Sequence, residues 1–213
     1  MQALVVYCHP KPESFTAAIR DRVVAGLREG GAEVEVIDLY AEGFAPCLTQ
    51  AEMETYEVHP ANVAPVRRHV EAVRAADTLV FVYPTWWYGM PAALKGWLDR
   101  VLLPGVAFSL PSEGDIRPEL QHVTRLGVFT TCGASWRLTR FVGAPGKRTL
   151  MLGLGLLCAP WLKRFYCAHY SMDASTPESR ARHLARVERT VARMVRTARA
   201  RAPVAPPAAR RTS

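Results

Sequence analysis

The 213-residue chain has no Cys-x-x-Cys spacing; its five cysteines (Cys8, Cys47, Cys132, Cys158, Cys167) are an odd, scattered set. Disulfide and metal frameworks need paired ligands, so no metal is expected and reduced thiols in a cytoplasmic setting are. There is no Gly-x-Gly-x-x-Gly turn, which argues against the classical dinucleotide fold. The start lacks a charged region followed by a long apolar run, so no signal peptide is expected. The longest apolar run, residues 150–162, falls short of the about 20 residues of a membrane span and contains Pro160. A buried helix is the expectation there. Lysine is nearly absent too (Lys11, Lys95, Lys147, Lys163), so arginine carries the positive charge.

That charge is unevenly placed. Lys+Arg number 27 against 19 Asp+Glu, a net of +8. Residues 180–213 hold ten arginines and one acid, Glu188, so the rest of the chain is close to neutral. A basic stretch raises nucleic acid or an anionic membrane as a partner. No aromatics are interleaved with these arginines, which argues against nucleic acid.

The order of elements follows from the apolar pattern. Residues 3–7 and 78–83 are short apolar runs typical of strands buried on both faces. Residues 33–38 alternate like an edge strand, and residues 125–131 and 164–168 supply two more. Between them, Ser14 offers an N-cap to a helix with Ile19, Val23 and Leu27 on one face, stopped by Gly30-Gly31. A second helix carries Val66, Val70 and Val73, and Pro91 opens a third with Leu94, Trp97, Leu98 and Val101. Residues 149–157 read as an apolar helix. Ser175-Thr176-Pro177-Glu178 reads as a capping box before a last helix bearing Leu184, Val187, Val191, Val195 and Ala198. Residues 1–202 therefore form one expected domain, and residues 203–213, rich in Pro, Ala and Arg, read as a disordered basic tail.

Alternating strands and helices predict a three-layer α/β sandwich with a five-stranded parallel sheet of order 2-1-3-4-5. Ligands bind such sheets beyond the strand C-termini, at the switch point between strands 1 and 3. Three loops lie there. The first runs from His9 to Thr16 and leads into a helix N-terminus, suited to a phosphate, with Ser14 either capping the helix or contacting the anion. The second is Pro84-Thr85-Trp86-Trp87-Tyr88-Gly89-Met90-Pro91, whose aromatics flank a planar ligand or a dimer interface. Gly89 allows a close backbone approach or a positive φ. The third, Thr130-Thr131-Cys132-Gly133-Ala134-Ser135-Trp136, either presents bare N–H groups to a heterocycle's carbonyl edge or forms an ordinary turn. Nothing within that motif activates Cys132 as a nucleophile. A phosphate seat, an aromatic slot and a carbonyl-edge seat together outline a flavin site.

The motifs His9-x-x-x-x-Ser14-Phe15-Thr16 and Tyr83-Pro-x-Trp-Trp-Tyr-Gly-Met-Pro-Ala-x-Leu-Lys-Gly-Trp-x-Asp-Arg-Val101 resemble the NAD(P)H:quinone oxidoreductase family, the DT-diaphorase-like, flavodoxin-like flavoproteins. The resemblance implies that His9, Ser14, Phe15 and Thr16 hold flavin phosphate. It also implies that Pro84, Thr85, Trp86, Trp87, Tyr88 and Gly89 line the isoalloxazine, and that Thr130, Thr131, Cys132 and Gly133 meet its pyrimidine edge. It further implies FAD before FMN, hydride transfer from NAD(P)H to flavin N5 over Trp87 and Phe108, and ping-pong reduction of a quinone. A cytoplasmic homodimer whose partner subunit lends the Phe108 aromatic is implied as well. Trp87, Tyr88 and Trp136 are the residues set nearest the chemistry. The chain departs from the family at Trp136, which stands where a relay tyrosine is expected, and no histidine follows within residues 135–147. An indole donates a hydrogen bond but shuttles no proton at neutral pH. A second expectation, motivated by the arginine-rich last helix, is a flavin-binding regulatory subunit docked on a membrane transporter.

Overall fold

The computed structural model describes residues 1–110 and 115–199; the expected tail at 203–213 lies outside the described residues. Five strands, β1 (Gln2–Tyr7), β2 (Glu33–Asp38), β3 (Thr78–Thr85), β6 (Arg125–Cys132) and β7 (Lys163–His169), form one parallel sheet. Their order is β2-β1-β3-β6-β7, the doubly wound order read from the sequence. The remaining two, β4 (Phe108–Ser109) and β5 (Arg117–Pro118), pair as a small antiparallel ribbon that the sequence pattern did not announce.

Side-chain alternation along the central strands builds two cores. Val5 and Tyr7 of β1, Val80 and Val82 of β3 and Phe129 of β6 face α1 (Phe15–Glu29) and α8 (Pro177–Arg199). Ile19, Val23 and Leu27 of α1 are 0% exposed, as are Val187, Val191 and Met194 of α8. The other face sets Leu4, Val6, Leu79, Phe81 and Val128 against α3 (Arg67–Ala75) and α4 (Ala92–Val101). There Val70, Val73, Leu94, Trp97 and Val101 are fully buried. Each such side chain contributes about 1.5–3 kcal/mol relative to exposure, so the spacing of apolar residues decides which face each helix presents.

A short helix, α2 (Gln50–Glu54), started by a capping box between Thr49 and Glu52, lies between β2 and α3. Two local expectations are corrected. The run read as a buried apolar helix at 149–157 is mixed. It continues α6 (Pro145–Arg148) through a π-helical segment (Thr149–Leu154) into α7 (Gly155–Leu157). Leu150, Met151 and Leu154 are buried, but Leu152 and Leu156 are exposed, because the wider turn rotates them off the core face. The start of α8 is capped reciprocally by Thr176 and Ser179, each side-chain hydroxyl accepting from the other's backbone N–H, rather than by Ser175 and Glu178. Among the described residues no helix is long and apolar enough to cross a membrane.

Candidate functional site

The C-terminal ends of β1, β3 and β6 bring the three loops to one edge of the sheet, and α5 (Trp136–Phe141) follows the third. Two threonine pairs tie them. Thr85 Oγ1 lies 2.9 Å from Thr130 Oγ1, joining the second loop to the third. Thr16 Oγ1 lies 3.3 Å from Thr131 Oγ1, joining the first to the third. Both pairs cross neighbouring elements, so the loops are held at a fixed spacing by the sheet beneath them.

In the first loop Ser14 is the N-cap of α1; its Oγ accepts from the Ala17 N–H at 3.1 Å. Thr16 is 2% exposed with its hydroxyl committed to Thr131. The donors this end offers an anion are therefore the first-turn N–H groups of Phe15 and Thr16, which have no intrahelical acceptor. His9 adds one more. Its Nδ1 accepts from the Lys11 N–H at 2.9 Å, and burial holds its pKa below the ordinary value. A neutral ring with Nδ1 accepting carries its proton on Nε2, a ready donor.

The aromatic loop is a tight two-residue turn. Trp86 N–H donates to Gly89 O at 3.2 Å and Gly89 N–H donates back to Trp86 O at 2.9 Å. Trp87 and Tyr88 between them have φ of 48° and 60°. Positive φ at both central positions defines a type I′ turn, which asparagine and glycine normally occupy. The positive φ anticipated for Gly89 thus falls on two aromatics instead, at a cost of about 1–3 kcal/mol each. Trp87 is 95% exposed, so its own packing does not offset that strain. Gly89 does serve close approach: a Cβ on Gly146 would lie 3.1 Å from Gly89 Cα, and the Gly146 N–H donates to Tyr88 O at 3.4 Å. The His9 ring flanks Trp86 at 6.4 Å.

The third loop buries Thr130, Thr131 and Cys132 and exposes Gly133. Cys132 Sγ sits 3.6 Å from Thr139 Oγ1, and Ser135 Oγ caps α5 by accepting from Leu138 N–H. Trp136 is half exposed at the start of α5. Pro84 is buried within β3. Phe108 is not brought to these loops; it is half-buried on β4 against the core of the α3/α4 face.

The sequence reading did not reach a fourth loop, the one after β7. His169 ends that strand and His183 lies on α8, and their rings pack around Phe15 at 5.5 and 5.9 Å. With Arg182, Arg186 and Arg189 they line a cavity of about 560 Å³. Arg186 donates to Ala168 O at 2.6 Å and to His183 Nδ1 at 2.7 Å. Burial, with the Arg186 guanidinium beside it, lowers the His183 pKa to about 3. The neutral ring then carries its proton on Nε2, which is buried without a partner among the described residues. The arginines that line the cavity make its wall positive. The position of His169 at a strand C-terminus is the signal that would have found it.

The fold is doubly wound α/β, and this edge is the strand-end crevice where such sheets take their ligands. Residues 1–191 match the family model described as flavodoxin-like fold, and the chain belongs to that family. It is 31% identical over 158 residues to a ribosyldihydronicotinamide dehydrogenase [quinone] of Rattus norvegicus, covering 65% of this chain and 67% of that protein. The chain spans about half to two thirds of the length of such curated relatives, 54% and 67% in two of them. A solved NAD(P)H:quinone oxidoreductase from Methanothermobacter marburgensis superposes with a TM-score of 0.75 at 27% identity, over 91% of this chain and 96% of that one. An FMN-dependent NADH-azoreductase from Bacillus anthracis, solved with FMN, shares the fold at TM-score 0.74 and 16% identity, over 91% and 99% of the two chains. The resemblance carried by residues 83–101 extends, in these matches, across most of the chain.

Proposed function

We propose that this chain is a flavin-dependent NAD(P)H oxidoreductase of the quinone-reductase type, reducing a quinone-like two-electron acceptor. The observation that carries this reading is the joining of the three strand-end loops by the Thr85–Thr130 and Thr16–Thr131 pairs. A bound flavin supplies the hydride-accepting and electron-donating chemistry that no side chain of the site offers. The chain's own part is to bind and orient. The first turn of α1 and His9 Nε2–H hold phosphate, the Trp86–Gly89 turn gives a planar wall, and the backbone from Cys132 to Ala134 offers donors to a heterocycle's rim. Those donors stabilise negative charge at the rim. Trp136 adds an indole N–H but no proton relay, so protons reach the site from water.

FAD is the longer of the two flavins, and the cavity behind Phe15, with the Arg182, Arg186 and Arg189 side chains, has the room and charge for a second phosphate and its nucleoside. FMN uses the seat only as far as its single phosphate. The acceptor site is completed in this reading by a second copy of the chain, whose Phe108 covers the aromatic turn. The exposure of Phe141 (89%) and Leu156 (74%) supports such a contact.

Heat release and chromatography of the cofactor from purified protein test the reading. FAD, bleached by NAD(P)H and reoxidised by a quinone under anaerobic conditions, is the expected result. FMN in its place removes the role given to the cavity behind Phe15, and protein that takes up neither flavin overturns the function.

A further inference from the structure

A second cavity follows the third loop, beside the helical stretch whose Gly146 packs on the aromatic turn. It is about 480 Å³, within the about 300–1,000 Å³ of small-molecule sites, and lies between α5 and the helical stretch beginning at α6. Arg140, Lys147 and Arg148 line it together with the Trp136 ring, and no carboxylate does. None of the three cations forms an ion pair among the described residues. Two are held by aromatic faces instead. The Arg140 guanidinium lies 5.9 Å from the Trp136 ring centre, and Lys147 Nζ lies 4.8 Å from that of Tyr166. Between them the chain reverses through Gly143 and Ala144, at φ of 86° and 46°, which turns the end of α5 and the start of α6 toward the same hollow. Left-handed backbone at a non-glycine residue is strain of the kind that collects at ligand sites.

We propose that this cavity seats the adenosine 2′-phosphate arm of NADPH and makes NADPH the preferred donor. The inference rests on the reductase reading above, because that reading places hydride transfer beside the Trp87–Tyr88 turn. The cavity is linked to that turn through Gly146, which stands between the lining residues Ala144 and Lys147 and packs on Gly89, and to the third loop through the contact of the lining residue Thr139 with Cys132. A nicotinamide at the turn thus has its phosphorylated end within reach of the three cations. Arginine forks match phosphate oxygens in pairs, and concentrated positive charge over a concave wall raises the local potential that draws in a multiply charged anion. The half-exposed Trp136 ring gives the adenine a stacking face, and Met151 closes the floor apolar. NADH lacks the 2′-phosphate and gains nothing from the extra cation.

Binding of adenosine 2′,5′-bisphosphate and of 5′-AMP to the purified full chain, followed by calorimetry, tests the site without turnover. The bisphosphate binds about tenfold tighter than 5′-AMP, one charge-assisted contact being worth about a factor of ten. Arg148→Gln, and the pair Arg140→Gln with Lys147→Gln, each remove about that factor and lower the NADPH-to-NADH ratio of kcat/KM in step. These positions are solvent-exposed, and the folding of each variant is confirmed by an unchanged thermal midpoint. Equal affinity for the two nucleotides, or a bisphosphate affinity unmoved by all three substitutions, overturns the assignment. The flavin spectrum, recorded before any nucleotide is added, separates the two failures. Flavin present and reduced equally by NADH and NADPH sinks this site alone, whereas its absence sinks the reductase reading.

Discussion

Replacing Trp87 by asparagine is predicted to stabilise the protein while weakening its site. Trp87 sits at φ 48° in the first central position of the Trp86–Gly89 turn and is 95% exposed. Its side chain therefore buries almost nothing that the substitution would lose. Left-handed backbone costs an ordinary residue about 1–2 kcal/mol, and asparagine visits that region readily because its short amide bonds locally. After allowing for the more flexible unfolded chain, a net gain of about 1 kcal/mol remains. For a domain of this size that is a rise of about 2–4 °C in the thermal midpoint. The measurement is calorimetry on cofactor-free protein, since a bound ligand adds its own concentration-dependent stabilisation. In parallel, flavin affinity and quinone turnover fall, because the wall that Trp87 and Trp86 form is cut back. A midpoint that stays level or drops refutes the argument that the turn stores strain for the sake of its aromatic residues.

Gly96→Ala on α4 would place a Cβ 2.1 Å from Pro46 O and 2.5 Å from Pro46 Cα, both backbone atoms, so overpacking costs about 1–3 kcal/mol and the thermal midpoint drops accordingly. Gly146→Ala meets Gly89 backbone at 3.1 Å and shifts the aromatic turn; flavin affinity falls more than stability does, and the test is a titration set beside a melt. Stability declines as pH is lowered from about 6.5 toward 3, because buried His183 has its pKa lowered to about 3 while the unfolded chain takes up the proton near 6.5. His169, lowered for the same reason of burial, adds to the loss with the same sign. Urea unfolding across that window shows the slope, and His183→Gln reduces it by up to one proton.

The legible parts of the sequence were those where burial leaves a single pattern. β1 and β3 are covered on both faces and read as unbroken apolar runs, and Leu94, Trp97, Leu98 and Val101 mark the inner face of α4. The three loops were legible because strand C-termini gather ligands whatever the residues are. The ribbon of β4 and β5 has only two residues in each strand, too short for a period to show. The conformation of the aromatic turn was hidden by Gly89, which drew the expectation of a positive φ away from Trp87 and Tyr88. His183 was hidden among the arginines of α8, where it looks like one more polar residue on a solvated face. Only the packing against Phe15 reveals that it is 2% exposed. In the same way Arg140 is set apart from the adjacent Lys147 and Arg148 in sequence and brought to the same cavity by the reversal at Gly143 and Ala144.

The central claim is that the ends of β1, β3 and β6 hold a flavin. Titration of cofactor-free protein with FAD and with FMN, followed by the flavin's fluorescence, tests it most directly. The account predicts saturation at one flavin per chain, with fluorescence quenched by the aromatic turn and with binding weakened in Gly146→Ala. No saturable binding of either flavin would contradict it.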